Sequence, residues 1–132
     1  MKKLILLFTV ILLVSLISGC KTEGVDTTLY KDGEKAINII NKSFETKQKI
    51  LTKADSTALQ NFFEEYEFPD DESFKNKDEE FAYWVGALEI TSRRYIRFSD
   101  DYTLSEEQEV IEKYQTVLEK LQKDYKIKLT KE

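Results

Sequence analysis

Histidine is absent from this 132-residue chain, and cysteine, proline and tryptophan occur once each. Without histidine the chain lacks the usual general base and the commonest zinc ligand, so no Ser-His-Asp or Cys-His arrangement can be built from it. One cysteine cannot close a disulfide within the chain, and packing alone must hold the fold. The sequence has no Gly-rich phosphate loop, and its single Ser-x-x-Lys, Ser18 to Lys21, lies at the end of the N-terminal apolar stretch. Paired carboxylates are frequent, as 25 acidic residues make inevitable, and none forms a distinctive acid–base pair. Enzymatic activity is therefore not expected. Alanine, glycine and proline are scarce while Lys, Glu, Ile, Asn, Phe and Tyr abound, a bias that suits an AT-rich genome.

Charge is unevenly spread. Lys2 and Lys3 are the only charges before Cys20, and without them the formal net charge moves from −5 to −7. An acidic domain is repelled by nucleic acid and by anionic lipid, so nucleic acid is not expected as a partner.

The two lysines precede an unbroken apolar run from Leu4 to about Leu16, followed by small residues. That is the layout of a secretory signal, and the run is shorter than the ~20 apolar residues needed to span a bilayer. Ile17-Ser18-Gly19-Cys20 resembles the lipobox of bacterial lipoproteins: an aliphatic residue three before Cys, two small residues, then the cysteine. The resemblance implies a diacylglycerol on the Cys20 thiol, with an N-acyl chain (palmitate or similar) as a further modification. It also implies cleavage between Gly19 and Cys20 and residence on the extracytoplasmic face of the cell membrane, or on the outer membrane where the host has two. It covers the first twenty residues alone. The expected organisation is a signal peptide at 1–19, a lipidated cysteine and short tether at 20–28, and a helical domain at 29–132. Fully extended, the eight residues Lys21 to Thr28 reach roughly 28 Å, so the domain is expected close to the membrane.

Apolar spacing beyond the tether is helical. Helix one is expected to start between Asp26 and Gly33 and reach about Leu51, with Ile37, Ile40, Phe44 and Leu51 as its stripe. A short second helix starts near Asp55 as N-cap and carries Leu59, Phe62, Phe63 and Tyr66. Phe68-Pro69 and the polar residues to Ser73 break the pattern. Helix three spans about Asn76 to Phe98, with Phe81, Trp84, Val85, Leu88, Ser92 and Tyr95 on one face. After a loop at Asp100–Thr103, helix four opens with a capping box at Ser105–Gln108 and shows Ile111, Tyr114, Leu118, Leu121 and Tyr125. These elements predict an all-α fold, a small antiparallel three- to four-helix bundle, and no strands.

Opposite the Leu88 side of helix three, Tyr83, Gly86, Ile90, Arg93, Arg94 and Arg97 share a face at 100° per residue. Arginine and tyrosine are enriched where proteins grip one another, which makes this a candidate partner-binding face. The same residues are also what a central helix packed on two sides would carry, its arginines paired with Asp100, Asp101 or other acids. Aromatics crowd residues 62–98, and any surplus beyond the core would leave a groove for an apolar ligand or partner helix. The acidic stretches Glu64–Glu67 and Asp70–Glu72 lack the alternating ligands and central glycine of a calcium loop and read as a solvated turn. No metal and no cofactor beyond the covalent lipid are expected. The leading expectation is a membrane-tethered binding module for a protein or small apolar ligand. By analogy of size and anchoring alone, exclusion or immunity lipoproteins of mobile elements and structural or stress-related envelope lipoproteins are alternatives.

Overall fold

The computed structural model describes residues 21–69 and 72–130; the expected signal peptide and the lipobox-like stretch ending at Cys20, with Asp70 and Asp71, lie outside them. Four helices dominate: α1 (Thr27–Glu45), α2 (Lys53–Glu65), α3 (Lys77–Phe98) and α4 (Leu104–Tyr125). A two-stranded antiparallel hairpin, β1 (Lys21–Thr22) and β2 (Val25–Asp26), precedes them. No helix among the described residues is long and apolar enough to cross a membrane.

The helices alternate in direction. Tyr30 near the start of α1 stacks on Phe81 near the start of α3 and hydrogen-bonds the Tyr125 carbonyl at the end of α4. At the opposite end, Phe44 of α1 stacks on Tyr114 at 3.6 Å between ring centroids and meets Tyr95 of α3. So α1 and α3 run parallel, and α4 runs antiparallel to both. α3 is the central element, packed along α1 on one side and α4 on the other. α2 runs back along α1, where Tyr66 donates to Asp32 (3.0 Å), and contributes only Leu59 and Phe62 to the buried core.

Gly33 fixes the α1–α3 approach. A Cβ there would meet the Phe81 ring at less than contact distance and would touch Phe62 of α2 at 3.6 Å. Only glycine lets three helices converge at this point.

The observed boundaries correct four expectations. α1 ends at Glu45 rather than near Leu51, because Lys47 adopts a left-handed conformation (φ 49°). Gln48 N–H then bonds the Ser43 carbonyl (2.9 Å) and Lys47 N–H the Phe44 carbonyl (3.3 Å), a Schellman ending with lysine in the place glycine usually fills. The N-cap of α2 is Thr52, whose Oγ1 accepts from Asp55 N–H, so Asp55 belongs to the first turn. The capping box of α4 lies at Thr103 and Glu106, not at Ser105 and Gln108. Thr103 N–H donates to Glu106 Oε2 (2.9 Å), and a charged carboxylate accepts more strongly than an amide. That backbone bond, with the Thr103 hydroxyl, holds the Glu106 carboxyl below its usual range.

The fourth correction concerns strands, which were not expected. Glu23 and Gly24 both have positive φ (53° and 81°), matching a two-residue type I′ turn. Two residues per strand are too few to produce a visible alternation. The hairpin is nonetheless integral: Val25 is wholly buried, Asp26 N–H donates to Asp78 Oδ1 (2.9 Å), and the Asp26 side chain caps α1 by accepting from Thr28 and Leu29 N–H. Lys21 to Asp26, within the expected short tether, are thus folded onto the bundle. The tail after α4 is likewise packed. Lys126 turns the chain at φ 56°, Ile127 is buried, and Asn38 of α1 donates to the Lys128 carbonyl and accepts from Thr130 N–H.

Three buried tyrosines, Tyr30, Tyr114 and Tyr125, cross-link the helices. Burial, the largest cause for each, raises their phenols above the ordinary value near 10. A raised folded-state pKa means the full contribution to stability below the unfolded value, with loss as pH climbs from there through the folded one. Chemical denaturation should therefore give constant tyrosine-linked stability through neutral pH and a decline above about pH 10. Tyr114→Phe should remove part of that decline. It should also cost about 1–2 kcal/mol at pH 7, because it strands the buried Asn41 oxygen that accepts from Tyr114 at 3.0 Å.

Candidate functional site

α2 leans on α1 rather than on α3, and a trough opens between α2 and α3. One part, about 510 Å³, lies against the α1–α2 turn and includes Ile50, Leu51 and Leu59. The larger part, about 1110 Å³, runs along α3 and is walled by Leu59, Phe63 and Phe68 on the other side. The two share Leu51, Ser56, Leu59, Glu89, Arg93 and Arg97, so they form one continuous groove.

All six residues of the candidate face of α3 line the larger part. Ile90 is 69% exposed, an unusual state for isoleucine, and Arg93, Arg94 and Arg97 are also exposed. Tyr83 is half-buried, with its ring against Phe74 and Trp84. Gly86 is buried beneath Phe68, where a Cβ would stand 3.0 Å from the ring. The absent side chain lets Phe68 lie flat on α3 and close one end of the groove floor. Phe63 continues that floor, 5.2 Å from Phe68 between ring centroids.

The electrostatics of the rim depend on which charges already have partners. Arg93 pairs with Glu89 one turn earlier on α3. Asp100, one of the acids considered for these arginines, pairs instead with Lys49 of the α1–α2 turn at 3.1 Å. Glu64, the acidic residue that α2 brings to the groove, accepts from Gln60 at 2.7 Å. Arg94 adds, after Lys113, to the forces holding the Glu109 carboxyl low, and Arg97 lies 5.4 Å from the centre of the Phe98 ring. Neither Arg94 nor Arg97 ion-pairs with a carboxylate among the described residues. α3 is packed on two sides, as a central helix would be, and its third side is open.

Leu51, expected in the stripe of the first helix, Phe63, expected in that of the second, and Phe68, expected at the break before Pro69, all line the groove instead. The signal for Phe68 was the pairing of an aromatic before Pro69 with the small residue Gly86, legible only once the two elements are known to meet. Of the acidic stretches, Glu65, Glu67 and Glu72 are exposed. Among the described residues no group of three His, Cys, Asp or Glu side chains converges as a metal site.

A paired substitution checks the exposure of this face. Ile90→Asp should change stability by no more than about 0.5 kcal/mol, because its side chain stands in water. Leu59→Asp, at the buried base of the same groove, should unfold the domain or cost several kcal/mol, on the order of 3–5. Thermal unfolding followed by circular dichroism distinguishes the two, and equal losses would mean that Ile90 is buried. In comparisons with known proteins, no family model, curated protein or solved structure matches the chain.

Proposed function

We propose that the chain is a lipid-anchored extracytoplasmic lipoprotein whose helical domain is a membrane-proximal binding module. The anchor rests on Ile17-Ser18-Gly19-Cys20 standing directly behind a basic start and an apolar run. The binding role rests chiefly on one observation: the six residues that share the outer face of α3 line a single open groove with an apolar floor and a cationic rim. Exposed apolar side chains at Ile50, Ile90 and Phe98 surround it, and such surface on a small domain usually marks a place of contact.

The fold supports a close attachment. Lys21, the residue after Cys20, already belongs to the hairpin, and Val25 and Asp26 tie that hairpin to α1 and α3. Acyl chains on Cys20 would therefore hold the bundle against the lipid surface with almost no tether. Two chains give durable attachment where one is marginal. The groove provides binding surface for a protein or an apolar ligand, and no reaction is assigned to it.

Two experiments test this reading. Cells given radiolabelled palmitate should label the wild-type chain, with a mature N-terminus at Cys20, and Cys20→Ser should abolish both labelling and membrane retention. An unlabelled full-length chain in the cytosol would overturn the anchor. Separately, a photo-crosslinker placed at Ile90 should capture a defined partner in intact cells. Arg93→Glu combined with Arg97→Glu should reduce that capture about tenfold, equivalent to ~1.4 kcal/mol, with the helical signal unchanged. Unfolding of the double variant would show that the arginines hold the fold instead.

A further inference from the structure

We propose that the groove between α2 and α3 receives an acidic amphipathic helix from a partner protein, an extension that rests on the binding-module reading above. The occupant's chemistry follows from how polarity is distributed in the groove. Leu59, Phe63, Phe68 and Ala87 offer an apolar floor, and Arg93, Arg94 and Arg97 supply positive charge along the last two turns of the exposed face. Glu89 is paired with Arg93, and Glu64, which keeps its charge while accepting from Gln60, is outnumbered by Arg94 and Arg97, neither ion-paired among the described residues, so the lining is left net positive. This rim belongs to a chain of net charge −5, which makes it the opposite of its surroundings. Guanidinium groups match carboxylates in a two-point geometry that a neutral or basic segment cannot supply.

Shape favours a helix over a small ligand. The lining of α3 from Tyr83 to Arg97 spans about 20 Å at 1.5 Å per residue, close to four helical turns. Because α2 packs on α1 and barely on α3, the trough between α2 and α3 stays open along its length, and a helix lying over it would rest on both. Ile90 and Phe98 project above the floor, where a helix lying in the trough would cover them and an enclosed small molecule would not.

Position argues against the anchoring membrane as the source of the negative charge. The hairpin that follows Cys20 meets the first turn of α3 at Asp78, whereas Arg97 lies near the last turn of that helix. In a bundle standing on its hairpin end, Arg93 to Arg97 sit about 22–29 Å above the Asp78 contact. A Debye length of about 8–10 Å screens the headgroups at that height.

The test presents a phage-displayed library of randomised 18-residue helical peptides to the full chain held in phosphatidylcholine nanodiscs. Enriched peptides should carry apolar residues at i, i+3 or i+4, and i+7, flanked by Asp or Glu. Arg94→Glu with Arg97→Glu should weaken the best of them at least about tenfold, and exchanging the peptide's acids for lysine should restore binding to that variant. Enrichment of basic or uncharged sequences, or of none, would overturn the proposal. So would displacement of the peptide by vesicles containing phosphatidylglycerol, which would assign the rim to lipid. If crosslinking from Ile90 still captures a partner in cells while acidic helices fail, the partner class is wrong and the binding-module reading stands. If both fail, that reading falls as well.

Discussion

At Gly33 the Phe81 ring occupies the space a Cβ would need, and Phe62 approaches the same point from α2. Much else in the bundle depends on that crossing. It brings α1 against α3 closely enough for Tyr30 to stack on Phe81 and for Phe81 to meet Tyr125 of α4 at 5.0 Å between ring centroids. It also commits α2 to α1, since Phe62 is the larger of its two buried side chains and is spent at this contact. With Phe62 committed there, α2 lies along α1 and scarcely touches α3. The groove is a consequence of where α2 finds its core.

The two ends of the domain are secured by different means. At one end the N-terminal hairpin and the C-terminal tail both return to the helices through polar side chains. Asp26 caps α1 while its backbone donates to Asp78, and Asn38 both donates to and accepts from the tail. These bonds satisfy backbone groups that would otherwise be left unpaired at the edges of short extended segments. At the other end, packing of Phe44, Tyr95 and Tyr114 is joined by Glu107, which accepts from the Tyr95 hydroxyl at 3.0 Å and faces Lys47 at 3.5 Å. The exposed ion pair adds little beside the rings it accompanies.

The groove combines features that a folded domain ordinarily keeps apart. Ile90 stands in water although its neighbours on the other sides of α3, Val85 and Leu88, are wholly buried, and three arginines collect on a chain that is acidic overall. Exposed apolar surface contributes nothing to the stability of the isolated chain. Its presence between two helices already held by α1 fits the partner contact proposed above. The direct junction of Cys20 to a packed hairpin bears on the proposed anchor in the same way: there would be little freedom between the lipid and the bundle.

Helix number, order and approximate extent were legible in the amino-acid sequence, because apolar side chains recur at the helical period in each segment. The sharing of one face by Tyr83, Gly86, Ile90, Arg93, Arg94 and Arg97 was legible for the same reason, since it follows from 100° per residue alone. What lay across from that face was not. Whether α2 would pack on α1 or on α3 turned on a three-way meeting at Gly33, between residues distant in the chain. The end of α1 was hidden because lysine, rather than glycine, takes the left-handed position at Lys47. The hairpin and tail were hidden because two- and five-residue extended pieces carry almost no periodic signal and gain their order from helices already in place. Local periodicity determines which elements form. Close approach between distant side chains decides where they sit and which of their faces is left open.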